Sequence, residues 1–303
     1  MEIKKLDDLF GKLKSHQQRV RLVAAYANDA HTIGAVGRAV QLGLVDATLV
    51  GDEATIAKES KALGLDAGLF TIVQESVDVK AVARAVDMVR EGQGDVLMKG
   101  LVSTDKYMHG ILNKERGLLP PKAVLSHVTV VQVPSYHKLL VVGDVAIIPA
   151  PDFKQKVAIT KYLIQVAHSL GIARPKVALL AATEQMLVAM PACVEAALIA
   201  KMGQRGQIGG AELEGPLALD VAVNPEAAKI KGLTGPVAGD ADCILFPNIE
   251  SGNVFFKTCT KLAGGELGAV VMGAKAPCIL TSRGDSVQSK LYSIALAANA
   301  ALR

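Results

Sequence analysis

Short runs of Val, Ile, Leu and Ala alternate along the chain with stretches in which apolar residues return at helical spacing. The first part predicts strand Arg21–Tyr26, helix His31–Leu42, strand Ala47–Val50, helix Glu53–Leu63, strand Phe70–Val73 and helix Val79–Arg90. Strand Asp95–Met98 and helix Thr104–Lys114 follow. The rhythm breaks after Pro120-Pro121, where Ala123–Val133, Leu139–Val142 and Val145–Ile148 read as closely spaced strands, partly antiparallel and bridging two lobes. Asp152 then caps a long helix running to Leu170. Alternation resumes with strand Lys176–Leu180, helix Leu187–Met202, strand Leu217–Val223, helix Pro225–Lys231, strand Cys243–Phe246 and a helix over Gly252–Ala263. Strands Ala269–Met272 and Cys278–Leu280 precede a last helix to Arg303. Such alternation predicts an α/β fold of doubly wound, mostly parallel sheets.

Composition narrows what this fold does. At 303 residues, half of them hydrophobic, the chain is long enough for two domains sharing a cleft. Aromatic residues make up only 4% and there is no Trp, so the stacking platforms of a nucleic-acid reader are missing. A formal net charge of +4 is too small to call for a polyanion and suits small phosphorylated substrates. Cys193, Cys243, Cys259 and Cys278 have neither C-x-x-C spacing nor His companions at zinc-ligand distances, which fits a reducing cytoplasm and no metal site, and Cys193 and Cys278 lie in apolar runs as buried packing residues. No apolar run approaches the roughly 18–20 residues of a membrane span, and no apolar leader opens the sequence.

In open α/β sheets ligands collect beyond the carboxyl ends of strands. Three such ends carry similar equipment. Strand Asp95–Met98 runs into Lys99-Gly100 and then Ser103-Thr104 at a helix start, with His109 further along that helix. Strand Cys243–Phe246 runs into Ser251-Gly252-Asn253, with Lys257 one turn on. Strand Cys278–Leu280 runs into Ser282-Arg283-Gly284-Asp285-Ser286. Each combines hydroxyls or an amide at a helix start, a glycine and one cation, the equipment of an anion site. Taken singly, each is also ordinary capping chemistry with a solvated lysine. The Arg-Gly-Asp tripeptide matches an adhesion motif, but nothing else in the sequence is extracellular in character. Walker, dinucleotide-fingerprint, zincin and nucleophile-elbow patterns do not occur.

The Ser282–Ser286 loop, with Phe246-Pro247-Asn248-Ile249-Glu250-Ser251-Gly252-Asn253, resembles the phosphate acyltransferases, which interconvert acyl-CoA plus phosphate with acyl phosphate plus CoA. The likeness extends over Met98-Lys99-Gly100, Ser126-His127, Glu214–Asp220 and Val237-Ala238-Gly239, and the ending through Lys290-Leu291-Tyr292-Ser293 is closer to the butyryl than to the acetyl branch. The resemblance implies two doubly wound domains of the three-layer isocitrate/isopropylmalate dehydrogenase type around a central cleft. It divides the chain into residues 1–145 with 276–303, and 146–275. It implies a homodimer or higher homo-oligomer, no metal, and CoA as substrate rather than cofactor. Ser282 and Arg283 match the catalytic pair, Arg283 neutralising phosphate and the tetrahedral intermediate and Ser282 donating to the oxyanion or the leaving sulfur. Acetyl-type relatives carry a catalytic aspartate where this chain has Ser289, which leaves Asp285 as the nearest carboxylate. Lys99, Ser103, Thr104, His109, Gly252, Asn253 and Lys257 are the candidate phosphate and CoA contacts, His109 standing where relatives have arginine.

Two other readings share the architecture: a metal- and NAD-dependent decarboxylating dehydrogenase, and a non-catalytic protein that binds CoA or acyl phosphate. The first needs converging aspartates, and the strand ends offer lysine, arginine and hydroxyls instead. The expected partners are therefore acyl-CoA, phosphate and acyl phosphate, with neither nucleic acid nor membrane involved.

Overall fold

The computed structural model describes residues 2–281 and 285–302. Helix α1 (Asp8–Lys14) precedes a run of strand–helix pairs: β1 (Val20–Ala25) and α2 (Ala30–Gln41), β2 (Val45–Gly51) and α3 (Glu53–Ala62), β3 (Thr71–Gln74) and α4 (Asp78–Arg90), β4 (Val96–Lys99) and α5 (Thr104–Leu112). Strands β5 (Ser126–Gln132) and β6 (Leu140–Gly143) follow, then α6 (Phe153–Ser169), β7 (Lys176–Leu180), α7 (Pro191–Gln204) and β8 (Glu212–Leu217). Next come α8 (Leu219–Val223), α9 (Pro225–Ile230), β9 (Cys243–Leu245) and α10 (Ile249–Lys261). Strands β10 (Glu266–Met272) and β11 (Cys278–Ile279) and helix α11 (Val287–Ala301) come last. Asp29, Asp52, Ser103, Asp152, Asn248 and Ser286 each accept a backbone N–H at the start of α2, α3, α5, α6, α10 and α11. That is why these helices begin where they do. No helix among the described residues is long and apolar enough to cross a membrane.

Contacts divide the chain into two compact α/β units, Asp7–Leu125 with Gly268–Arg303 and Met1–Leu6 with Ser126–Leu267. The boundary differs from the expected 145/146 and 275/276. Strands β5 and β6 form an antiparallel pair, and β6 continues in parallel with β9, so the hairpin belongs with the central residues.

In the amino-terminal unit the strand order is β3-β2-β1-β4-β11-β10, parallel except for the antiparallel β10–β11 pair. Helices cover both faces, so β1 and β4 are almost wholly apolar and buried rather than alternating. The register sets Ala25 beside both Val50 and Lys99, and Met98 beside Ile279. The turns leaving β1, β4 and β11 therefore open side by side. Helix α11 is buried from Lys290 through Asn299, with Tyr292 stacked on Phe10 at 5.6 Å and donating its hydroxyl to Asp7 at 2.8 Å.

In the central unit the order is β5-β6-β9-β7-β8. Val131, Val142, Ala178, Leu180, Val221, Ile244 and Phe246 belong to its buried core. Two expected strands are absent here. Residues 145–148 form a turn, because buried Asp144 accepts the Ala146 and Ile147 N–H groups at 2.7 and 2.9 Å and ends β6. Asp144 also accepts from the Ser126 hydroxyl at 3.0 Å and the His127 N–H at 3.1 Å, tying β5 to that turn. The segment 217–223 alternates apolar residues like a strand, yet β8 stops at Leu217 and α8 follows. The deeply buried positions are Leu217, Val221 and Ala222, a helical rather than a period-two spacing.

Candidate active site

Tyr26, which follows β1, turns the chain with a left-handed φ of 58°. Its carbonyl accepts the Leu101 N–H at 2.8 Å, and the Ala25 carbonyl accepts the Gly100 N–H at 2.9 Å. Any Cβ at Gly100 would collide with the Tyr26 carbonyl. Glycine at this position is what lets the β4 exit lie against the loop that starts α2. Over this junction opens a cavity of about 270 Å³, whose lining includes Asp29, Thr32, Lys99, Gly100, Thr281 and Lys290.

Both lysines are buried. Lys99 is 6% exposed and donates to the Gly100 and Val102 carbonyls at 3.3 and 2.9 Å. Lys290 is 4% exposed and donates to the Asp285 carbonyl at 3.0 Å. Asp29 accepts the Thr32 N–H at 2.9 Å, and neither α2 nor α11 carries an acidic residue in its first turn. Two ammonium groups and the amino end of α2 thus belong to one concave surface, a field suited to an anion.

Of the residues expected from sequence, Lys99 lies in this cavity. Ser282 and Arg283 lie outside the described residues, immediately after Thr281. Asp285 is half-buried, and its backbone holds Lys290. Ser289 sits in the α11 cap, with its N–H donating to the Ser286 hydroxyl oxygen at 3.0 Å and the two hydroxyls 3.1 Å apart. Ser103 caps α5 through the Lys106 N–H, Thr104 is the exposed first residue of that helix, and His109 is exposed and pairs with Asp105 at 3.4 Å. None of these three lines the Lys99 cavity. Gly252 and Asn253 tie α10 to the turn after β6: a Cβ at Gly252 would press on the Asp144 carbonyl, and the Asn253 side-chain amide donates to the Val145 carbonyl at 3.0 Å. Lys257 is exposed on the same helix.

Sequence reasoning missed Asp29, Thr32, Thr281 and Lys290. The usable signals were a capping aspartate directly after strand β1 and a lone lysine entering an apolar helix.

The central unit has its own cavity at the carboxyl ends of β7 and β9, about 450 Å³, with Leu180, Leu219, Phe246, Pro247, Val254 and Phe255 among its lining. It is apolar, with the Phe246 and Phe255 rings 5.3 Å apart. The four cysteines are unpaired and buried. Burial pushes the Cys278 thiol up to about 12 and raises that of Cys243 as well. At neutral pH these two are thiols rather than nucleophilic thiolates.

Residues 68–298 match the phosphate acetyl/butaryl transferase family. The chain is 43% identical over 296 residues to the phosphate butyryltransferase of Clostridium acetobutylicum, covering 98% of each. It is 39% identical over 299 residues to a phosphate acetyltransferase of Rhizobium meliloti, covering 99% of this chain and 94% of the relative. Among solved structures, a branched-chain phosphotransacylase from Enterococcus faecalis V583 superposes with a TM-score of 0.82 at 29% identity, over 94% of this chain and 99% of that one. With a family match over most of its length and relatives of this identity along the whole of it, the chain belongs to the phosphate acetyl/butaryl transferase family.

Proposed function

We propose that the chain transfers a short acyl group directly between CoA and phosphate, in a complex holding both substrates, with butyryl or a branched chain as the preferred group. A phosphate oxygen attacks the thioester carbonyl carbon, the carbonyl oxygen becomes an oxyanion, and collapse breaks the C–S bond to release CoA thiolate, which takes up a proton. The observation that carries this reading is Lys99, a buried ammonium at the end of a parallel strand. It lines the same cavity as Thr281, the residue that leads into Ser282 and Arg283. A preorganised cation in a site removed from water stabilises charge that develops on oxygen. In this reading Arg283 neutralises phosphate and the intermediate, and Ser282 donates to the oxyanion or the leaving sulfur. Ser289 leaves the usual carboxylate position filled by a hydroxyl engaged in a helix cap. In the reverse direction CoA enters as a thiol with an ordinary pKa of about 8.5; the cationic site favours its thiolate, and Asp285 is the nearest carboxylate to take the proton.

CoA is substrate here, and no metal or cofactor takes part. The isocitrate/isopropylmalate dehydrogenase-like architecture, a homo-oligomeric assembly and a cytoplasmic setting complete the proposal; two α/β units with mostly parallel strands support the first of these. Thiol release from a panel of acyl-CoAs, with and without phosphate, tests it. Strictly phosphate-dependent release, fastest on four- or five-carbon acyl groups, is expected. Equal release without phosphate would indicate hydrolysis and overturn the reading.

A further inference from the structure

Lys290 stands out because nothing in the fold explains it. It enters α11 at the first turn, where the helix dipole disfavours a cation, and the helix is buried on all sides from this residue onward. Methionine or leucine would fill the position at no electrostatic cost. Instead an ammonium with three N–H donors is 4% exposed and meets, among the described residues, one neutral acceptor, the Asp285 carbonyl. No carboxylate among them pairs with it. A buried charge without a counter-charge is costly, and the cost is relieved when an anion arrives.

The surroundings say which anion. The cavity beside Lys290 also takes in Lys99, the Thr281 and Thr32 residues and the first turn of α2. The one carboxylate among its lining residues, Asp29, caps α2 through the Thr32 N–H, and two lysines against one aspartate leave the lining positive. A volume of about 270 Å³ admits a tetrahedral oxyanion together with water. Two ammonium groups attract the negative charge of a phosphate, and hydroxyls supply directional donors to its remaining oxygens.

We infer that Lys290 is a second phosphate-binding residue of this enzyme, acting with Lys99 to hold the attacking inorganic phosphate in this cavity. The inference rests on the acyltransferase reading for its kinetic consequence but not for its binding consequence, so the two are measured separately. Inorganic phosphate alone is expected to raise the melting temperature of the wild-type protein, and Lys290→Met is expected to abolish that rise while keeping the rise produced by CoA. In steady-state assays the same variant raises the KM for phosphate tenfold or more and leaves the KM for acyl-CoA within twofold. Lys290→Gln, neutral yet able to donate to the Asp285 carbonyl, behaves the same way and serves if the methionine variant does not fold. Lys290→Arg restores most of the phosphate response. An unchanged phosphate response in either neutral variant overturns the inference. Loss of the CoA response with the phosphate response kept also overturns it, assigning the cavity to a phosphate group of CoA. If the protein transfers no acyl group but phosphate still stabilises it in a Lys290-dependent way, the acyltransferase reading fails and this site stands.

Discussion

At the amino ends of β1 and β4, Arg21 grips Asp95 with its guanidinium at 2.7 and 3.0 Å and its backbone N–H at 2.9 Å. At the amino ends of β6, β7 and β9, Lys138 lies 2.8 Å from Asp242 and 2.9 Å from Asp240, which also meets Lys176 at 2.5 Å and His137 at 2.9 Å. The carboxyl ends of β4 and β11 look different. There Lys99 and Lys290 are buried deeper than any of these cations, with backbone carbonyls as acceptors and a cavity in front of them. Cations answered by carboxylates fasten strands and leave nothing to offer a ligand. Lys290, answered among the described residues by a neutral carbonyl, keeps its charge for something that enters. On β4 both roles appear, Asp95 fastening its amino end and Lys99 facing a cavity at its carboxyl end, and each side of that division can be broken experimentally.

The largest effect is expected at Lys99. Lys99→Met removes a buried charge, so the melting temperature should hold or rise, because apolar replacements of buried charges are often neutral or stabilising. Turnover in the phosphate-dependent thiol assay should fall by about a hundredfold or more, the scale of losing one preorganised oxyanion donor. Near-wild-type turnover in the folded variant would erase the functional half of the comparison. Next comes Gly100→Ala, which tests the scaffold under the site. Its Cβ meets backbone at Tyr26, which has no rotamer to yield. A loss of about 1–3 kcal/mol is expected, read as a lower denaturant midpoint, with a loss of activity beyond that of the unfolded fraction. An undisturbed midpoint would show that the β1 and β4 exits are not held together as described.

How much of this was legible in the sequence follows from what each feature depends on. The parallel strands were readable because burial on both faces writes a continuous apolar run, and Lys99 was readable because such a run ends on it. Two segments misled for local reasons. At 145–148 the residues favour a strand, but the Asp144 carboxylate captures the next N–H groups before a ladder can form. At 217–223 alternating Leu and Val mimic a strand, while burial of Val221 and Ala222 selects a helix. His109 shares a helix with the Lys99 turn, but helical phase carries it to the exposed face beside Asp105. Lys290 gave the weakest signal. A lysine beside apolar helical residues usually reaches solvent with its tip, and its burial comes from packing of α11 on α2 and α1, elements distant in sequence.

The smallest effect belongs to the fastening side. Burial works against the charged form of Asp240, but hydrogen bonds from Lys138 and Lys176, the charge of Lys138 and the hydrogen bond of His137 outweigh it and hold the carboxyl far below its ordinary range. Asp95 is lowered too, by its hydrogen bond from Arg21 against the effect of burial. A group whose folded pKa is depressed contributes stability that is complete above its unfolded value, about 3.9 for Asp. That stability drains away as pH falls, because the unfolded chain binds the proton first. Asp240→Asn should therefore flatten the decline in melting temperature between pH 5 and pH 2. At neutral pH the loss should be on the order of 1 kcal/mol, the upper end for a partly exposed pair, because several cations converge on one carboxylate. Turnover and both KM values should stay at wild-type levels, since the cluster lies at the amino ends of its strands. An acid-melting slope identical to wild type would mean that Asp240 fastens nothing, and a changed KM for phosphate would mean that this cluster and the Lys99 cavity are not independent.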